Sequence, residues 1–123
     1  MLGMILLGVL AAVSLVALIY LAVVTVKWLK NIVVERLKAR RNHKVIFADT
    51  RETVDEYMKE NVRNKDGISM GDLENLCEES PYFVAEIDRD TDEISNFQSY
   101  KAGSIEENLK NKIHKEGGMV VFE

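Results

Sequence analysis

The stretch Leu2–Val26 reads LGMILLGVLAAVSLVALIYLAVVTV and contains no charged side chain. About 20 apolar residues in an α-helix cross a hydrocarbon core of roughly 30 Å. A cleaved signal peptide would have a basic segment before a shorter apolar core, and no Lys or Arg precedes this one. A buried helix of this length would need a larger protein around it. The sequence therefore predicts a retained transmembrane anchor over residues 1–26.

The basic residues that follow the apolar stretch predict its orientation. Positively charged residues close to a membrane span stay on the cytoplasmic side. They come directly after the stretch as Lys27, Lys30, Arg36, Lys38, Arg40, Arg41 and Lys44. We therefore expect a single-pass membrane protein with the amino terminus outside and the carboxyl domain in the cytoplasm. The single cysteine, Cys77, agrees with a reducing compartment.

Residues 27–44 contain neither Gly nor Pro, and their apolar side chains recur at helical spacing. The pattern predicts a basic amphipathic juxtamembrane helix. Basic side chains near a membrane surface attract anionic lipids, and Trp is frequent at the interface. We expect contact with the lipid bilayer and its anionic headgroups through Lys27, Trp28, Lys30, Arg36, Lys38, Arg40, Arg41 and Lys44.

The charge changes sign along the chain. Residues 1–44 carry seven basic side chains and one acidic, whereas residues 45–123 carry nine basic and nineteen acidic side chains. Because nucleic-acid binding needs a basic patch, the acidic part argues against DNA or RNA as a partner.

Local patterns in residues 45–123 predict one small α+β domain with about four strands. The segment Lys44–Ala48 has the β-branched and aromatic composition of a strand, and Asp49 begins a helix-capping pattern. Ser69 is a second helix cap, and Ser104 with Glu107 a third. The ranges 82–87 and 94–100 indicate a hairpin, and residues 119–122 a last strand. The predicted order is β-α-α-β-β-α-β.

The acidic stretch 86–93 is the strongest candidate for a metal site. Asp88, Asp90 and Asp92 alternate as in the first half of a calcium loop. The second half departs from that pattern, because Glu93 replaces the required Gly and Ser99 stands where a bidentate Glu is needed. We favour a solvated hairpin loop, with weak divalent-cation binding as the alternative.

Gly8 and Ala12 form a pair of small residues four positions apart, which lets two membrane helices approach closely. Small residues are also common in such helices for no special reason, and we favour that interpretation. The pair is the only signal here for a homo-oligomer.

The sequence carries no catalytic or cofactor motif. His43 and His114 belong to no metal-binding spacing, and Cys77 on an apolar helix face is more typical of a core residue than of a nucleophile. There is no G-x-S-x-G, phosphate-binding loop or dinucleotide glycine cluster. We therefore predict neither an enzyme nor a bound cofactor.

These observations favour a membrane-anchored, non-enzymatic adaptor whose acidic domain, residues 45–123, binds a protein partner at the cytoplasmic face. One alternative is a self-associating small membrane protein of the pore-forming or holin-like kind. The other is a weak divalent-cation sensor that uses the loop 86–93.

Overall fold

A computed structural model describes residues 2–40, 42–63 and 66–123. These residues form five helices and one five-stranded mixed sheet. In chain order the elements are α1 (Leu2–Val13), β1 (Leu18–Val24), α2 (Val26–Ala39), β2 (His43–Asp49), α3 (Thr50–Glu60), α4 (Met70–Glu79), β3 (Tyr82–Asp88), β4 (Ile94–Ile105), α5 (Glu107–Lys115) and β5 (Met119–Phe122).

The apolar stretch 2–26 is not one membrane-spanning helix. Helix α1 ends at Val13, a turn follows, and Leu18–Val24 forms a strand that pairs in parallel with β4. Across the described ranges, no helix combines the length and the apolar character that crossing a bilayer requires. The predicted single-pass fold class, the transmembrane and membrane assignments and the localisation across a membrane are therefore wrong.

The transmembrane prediction failed because a continuous apolar run is compatible with more than one structure. Periodicity alone does not distinguish a membrane helix from a helix followed by a strand when every residue is apolar. The second half, LIYLAVV, is rich in β-branched and aromatic residues, which favour strands. Its hydrogen-bonding partner, β4, lies about 80 residues further along the chain, so local sequence gives no sign of it.

The sheet has the strand order β1-β4-β3-β2-β5, in which only the β1–β4 pair is parallel. The predicted strands and hairpin after residue 43 are present in the predicted order, together with the fifth strand β1. Two predicted caps are confirmed, since Asp49 Oδ1 accepts the amide of Glu52 at 3.3 Å and Ser69 Oγ that of Asp72 at 3.1 Å. The third is wrong, because β4 extends through Ser104 to Ile105.

Helices cover both faces of the sheet. On one face α1, α3 and α4 pack on a cluster that includes Leu6, Ile46, Leu76, Phe83 and Phe97. On the other face α2 and α5 contribute to a second cluster, which includes Leu29, Val33, Phe47, Val84 and Ile113. Neighbouring residues of β2 supply both clusters because successive side chains of a strand point to opposite faces. The helix predicted over residues 27–44 is present as α2, which ends at Ala39, and its apolar face contacts the sheet.

Candidate functional site

A β-bulge interrupts the pairing of β3 with β4. Glu86 pairs with Asn96 and Ile87 pairs with Ile94, so Ser95 is the extra residue on β4. Bulges re-aim side chains, and they are frequent beside active sites. Here the bulge places Ser95 next to the beginning of β2.

Three polar side chains from three strands meet at this bulge. Ser95 Oγ lies 3.1 Å from Nδ1 of His43, and Nε2 of the same ring lies 3.6 Å from Asp88 Oδ2. His43 is the first residue of β2 and is directly opposite Asp88 in the antiparallel pairing. The imidazole is buried, whereas Ser95 is exposed. A hydroxyl, an imidazole and a carboxylate therefore stand in one row.

Asp88 is held in its ionised form by the turn that follows β3. Its Oδ1 accepts the amides of Asp90 at 2.8 Å and of Thr91 at 3.3 Å. The amide of Asp90 is the main reason that the pKa of Asp88 is lowered, and the proximity of His43 lowers it further against an opposing desolvation. A carboxylate beside the imidazole stabilises the proton on the ring nitrogen that faces it.

A buried ion pair lies beside this row. Glu86 is only 3% exposed, and its Oε2 is 3.6 Å from Nη1 of Arg36 on α2. Arg36 Nη1 is itself buried and has no hydrogen-bond partner among the described residues. The pair faces a surface cleft of about 360 Å³, which Arg40 and Asn96 also line. Because the same Nη1 faces the Glu86 carboxylate and Arg36 also hydrogen-bonds Tyr100, the guanidinium is already engaged within the protein.

Local sequence shows no sign of this grouping, because His43 and Arg36 lie far along the chain from Asp88 and Ser95. The one local signal is Glu86, an acidic residue inside the otherwise apolar run YFVAE of β3. Buried carboxylates are rare unless they are paired. The residue therefore points to a polar partner, but it does not identify that partner.

Two of the three aspartates of the predicted metal loop accept hydrogen bonds from the protein itself. Asp88 accepts the two amides described above, and Asp90 Oδ2 accepts Asn42 Nδ2 at 2.6 Å. Asp92 adopts a left-handed backbone with a φ of 59°. Within the described part of the chain, no three or more His, Cys, Asp or Glu side chains are placed to hold a metal ion.

Two of the residues assigned to membrane contact are engaged inside the protein. The Trp28 ring packs edge-on against Tyr100 with 5.1 Å between centroids, and Arg36 pairs with Glu86. Arg41 lies outside the described residues. The other five occupy exposed or half-buried positions: Lys27, Lys30, Lys38, Arg40 and Lys44. Their contact with anionic headgroups stays a prediction.

The small residues of α1 lie against the same chain. A Cβ at Gly8 would approach Ile94 Cδ1 of β4 to 3.0 Å, and Ala12 packs at the edge of the core cluster under α1. The close approach that Gly8 permits is therefore made to β4. Contact between two copies of α1 stays a prediction.

Cys77 and His114 lie apart from the bulge. Cys77 is buried on α4, and burial raises the pKa of its thiol, so the side chain behaves as a core residue. His114 is exposed on α5, and its Nδ1 lies 3.1 Å from Glu52 Oε1.

The second notable feature is an apolar surface along β1, called here the β1 surface: Ile19, Tyr20 and Val23 of the strand with Leu15 just before it. All four side chains are exposed, Tyr20 by 73% and Val23 by 45%. Since β1 is the last strand of the sheet, one row of its backbone N–H and C=O groups faces no other strand of the described residues. The surface therefore combines apolar side chains with open hydrogen-bonding groups.

No family model, no curated protein and no solved structure matches the chain. What the protein does must therefore be argued from its own geometry.

Proposed function

We propose that the chain is a protein-interaction domain that self-associates through the edge of β1, with the β1 strand of a second copy as its binding partner. The observation that carries this proposal is an edge strand of seven residues that has no charge, no proline and exposed apolar side chains. Unprotected edges of this kind are templates for strand addition.

The opposite edge of the sheet provides the contrast. Strand β5 has only four residues and is followed directly by Glu123. Short edge strands and nearby charges are the usual protection against edge-to-edge pairing. Strand β1 has neither, which makes it the edge at which another strand is expected.

The chemistry of β1 favours a second copy as the occupant. Two antiparallel β1 strands related by a twofold axis would bring no like charges together, because Leu18–Val24 contains none. Adjacent residues point to opposite faces, so Ile19 and Tyr20 would extend the apolar contact on both sides of the joined sheet. A twofold contact uses the same patch on both copies and closes at a dimer.

This proposal keeps the adaptor hypothesis in its general form, a domain that acts by binding protein. A separate protein partner for the acidic part, residues 45–123, stays a prediction, since no described surface of this part indicates the chemical class of such a partner. The pore-forming alternative depended on a spanning helix and is dropped together with that helix.

Charge placed on each edge in turn tests the proposal. We expect the full-length chain to sediment as a dimer, and Val23→Lys to shift it to monomer, because a lysine on an edge strand opposes strand addition. Val121→Lys is the matched control, since Val121 lies on the other edge strand and is also 45% exposed. Analytical ultracentrifugation over a range of concentrations gives the mass of each species.

A monomeric wild-type chain at every concentration would overturn the proposal. So would equal dissociation by the two lysine variants, which would indicate a general effect of charge. Circular dichroism and a thermal melt of both variants establish that each is folded before the masses are compared.

A further inference from the structure

We propose that Ser95, His43 and Asp88 form a nucleophilic site that hydrolyses small carboxylic esters. The inference is independent of the β1 interface, because the site lies at the bulge between β3 and β4 and uses no residue of β1. It also departs from the expectation that the protein is not an enzyme. That expectation relied on contiguous motifs, whereas these residues are brought together only by strand pairing.

The tautomer of His43 decides the direction of the hydrogen bond between Ser95 and the ring. Ser95 Oγ lies within reach of His43 Nδ1, at 3.1 Å, and of the Glu86 carbonyl oxygen, at 3.3 Å. The Ser95 hydroxyl can donate to the ring only when the imidazole proton is on Nε2. Asp88 lies on that side of the ring and is ionised, so it favours this tautomer.

The roles follow from this order. Ser95 is the nucleophile, His43 is the general base, and Asp88 is a positioning residue that fixes the tautomer and stabilises the imidazolium. The 3.6 Å between His43 and Asp88 is longer than a strong hydrogen bond. Such contacts are often long in a free enzyme and shorten when the ring becomes charged.

The bulge is polar beyond this row. Ser95 touches the backbone carbonyl of Glu86, and Arg36 pairs with the carboxylate of the same residue. Because Nη1 of Arg36 lies 3.6 Å from Glu86 Oε2 and Arg36 also hydrogen-bonds Tyr100, this guanidinium is already engaged and is assigned no role in the reaction.

The reaction balances with water as the only co-reactant. Ser95 Oγ bonds to the acyl carbon while its proton moves to His43 Nδ1, and the carbonyl oxygen becomes an oxyanion. The bond to the leaving alkoxide then breaks, and the alkoxide takes the proton from His43. Water attacks the acyl-serine, its proton passes through His43 to Ser95 Oγ, and a carboxylic acid is released.

The competing interpretation is that the same contacts only satisfy polar groups at the bulge. In that case the Ser95 hydroxyl donates to the Glu86 carbonyl and accepts from His43, and it has no enhanced reactivity. The two interpretations differ in whether Ser95 reacts with an electrophile faster than an ordinary exposed serine does.

The experiment treats the folded full-length chain with a fluorophosphonate probe and maps the modified residue by peptide mass spectrometry. We expect labelling at Ser95, and we expect His43→Gln to slow it by roughly 100-fold, the usual contribution of a general base. Asp88→Asn should also slow the labelling of Ser95. p-Nitrophenyl acetate hydrolysis should fall in parallel and be lost in Ser95→Ala.

Each variant has a matched control elsewhere in the chain. Ser104→Ala removes another exposed serine of β4, His114→Gln removes the exposed histidine, and Asp90→Asn changes a carboxylate of the same turn. None of these should reduce labelling at Ser95. Unfolded chain in urea should not be labelled at this residue.

Absence of labelling at Ser95 in the folded wild-type chain would overturn the proposal without reference to any variant. Labelling that His43→Gln leaves unchanged, in a variant with a wild-type melting curve, would overturn it as well. Ester hydrolysis that disappears with His114→Gln would assign the activity to a surface imidazole and not to this site.

Discussion

Asp49 stabilises the start of α3 as its cap, but its partly buried charge lowers the stability of the fold. Its side chain caps α3 by accepting the Glu52 amide. Desolvation by burial nevertheless raises the pKa of Asp49 above its usual value, against the lowering effect of that hydrogen bond. The folded chain therefore holds this proton more tightly than the unfolded chain does. Ionisation of Asp49 opposes folding at neutral pH, and this opposition fades as the pH falls through the raised pKa.

Two substitutions separate the cap from the charge. We expect Asp49→Asn to be more stable than wild type at pH 7, because asparagine caps equally well without a buried charge. Its advantage should shrink as the pH falls through the folded pKa of Asp49 towards the usual value of about 3.9. Asp49→Ala should lose about 1 kcal/mol through the missing cap. Urea unfolding of the three proteins at several pH values measures this, and an advantage of Asn that is independent of pH would contradict the assignment.

Helix α1 is the element on which the sequence-based prediction and the structure disagree most directly. Leu6 is fully buried in the core cluster shared with α3 and α4, whereas the next residue, Leu7, is 44% exposed. The two residues have the same side chain, but one is buried in the core and the other is exposed to solvent. A comparison between them therefore reports whether α1 is part of the folded domain.

We expect Leu6→Ala to lower the free energy of unfolding by roughly 2–5 kcal/mol, the range for a buried leucine that leaves a cavity. Leu7→Ala should change it by about 0.5 kcal/mol or less, as is usual for surface positions. Denaturant unfolding followed by circular dichroism gives both values. Equal and small effects at the two positions would mean that α1 does not pack on the sheet.

At the scale of the whole molecule, the first 44 residues are part of the fold. Strand β1 pairs with β4 from Ser99 to Ile105, and α1 and α2 cover opposite faces of the sheet. Without these elements, apolar residues of both core clusters would be exposed to water. The boundaries predicted after residues 26 and 44 therefore separate parts that share one sheet.

A truncation tests this dependence. We expect residues 45–123 alone to lose the cooperative unfolding transition of the full chain, because the sheet would lack an edge strand and a covering helix on each face. Thermal unfolding by circular dichroism, with amide dispersion in a proton–nitrogen spectrum, distinguishes the two states. A sharp transition and a dispersed spectrum for the truncated chain would show instead that residues 45–123 fold alone.

Features that depend on a few neighbouring residues follow from the local sequence. Asp49 and Ser69 cap helices because each side chain reaches an amide three residues ahead, and β2 forms where β-branched and aromatic residues cluster. The turn between β3 and β4 is likewise set by Asp88 and the residues directly after it. Such interactions are nearly the same in any fold that contains the segment.

Long-range strand pairing sets the structure of the apolar stretch 2–26 and brings Ser95 next to His43. An uncharged run is compatible with a membrane helix and with a helix followed by a strand, and the choice depends on pairing with β4 far along the chain. The row at the bulge likewise exists because β2, β3 and β4 are adjacent in the sheet. Strand order and register are long-range properties, and no local pattern of residues encodes them.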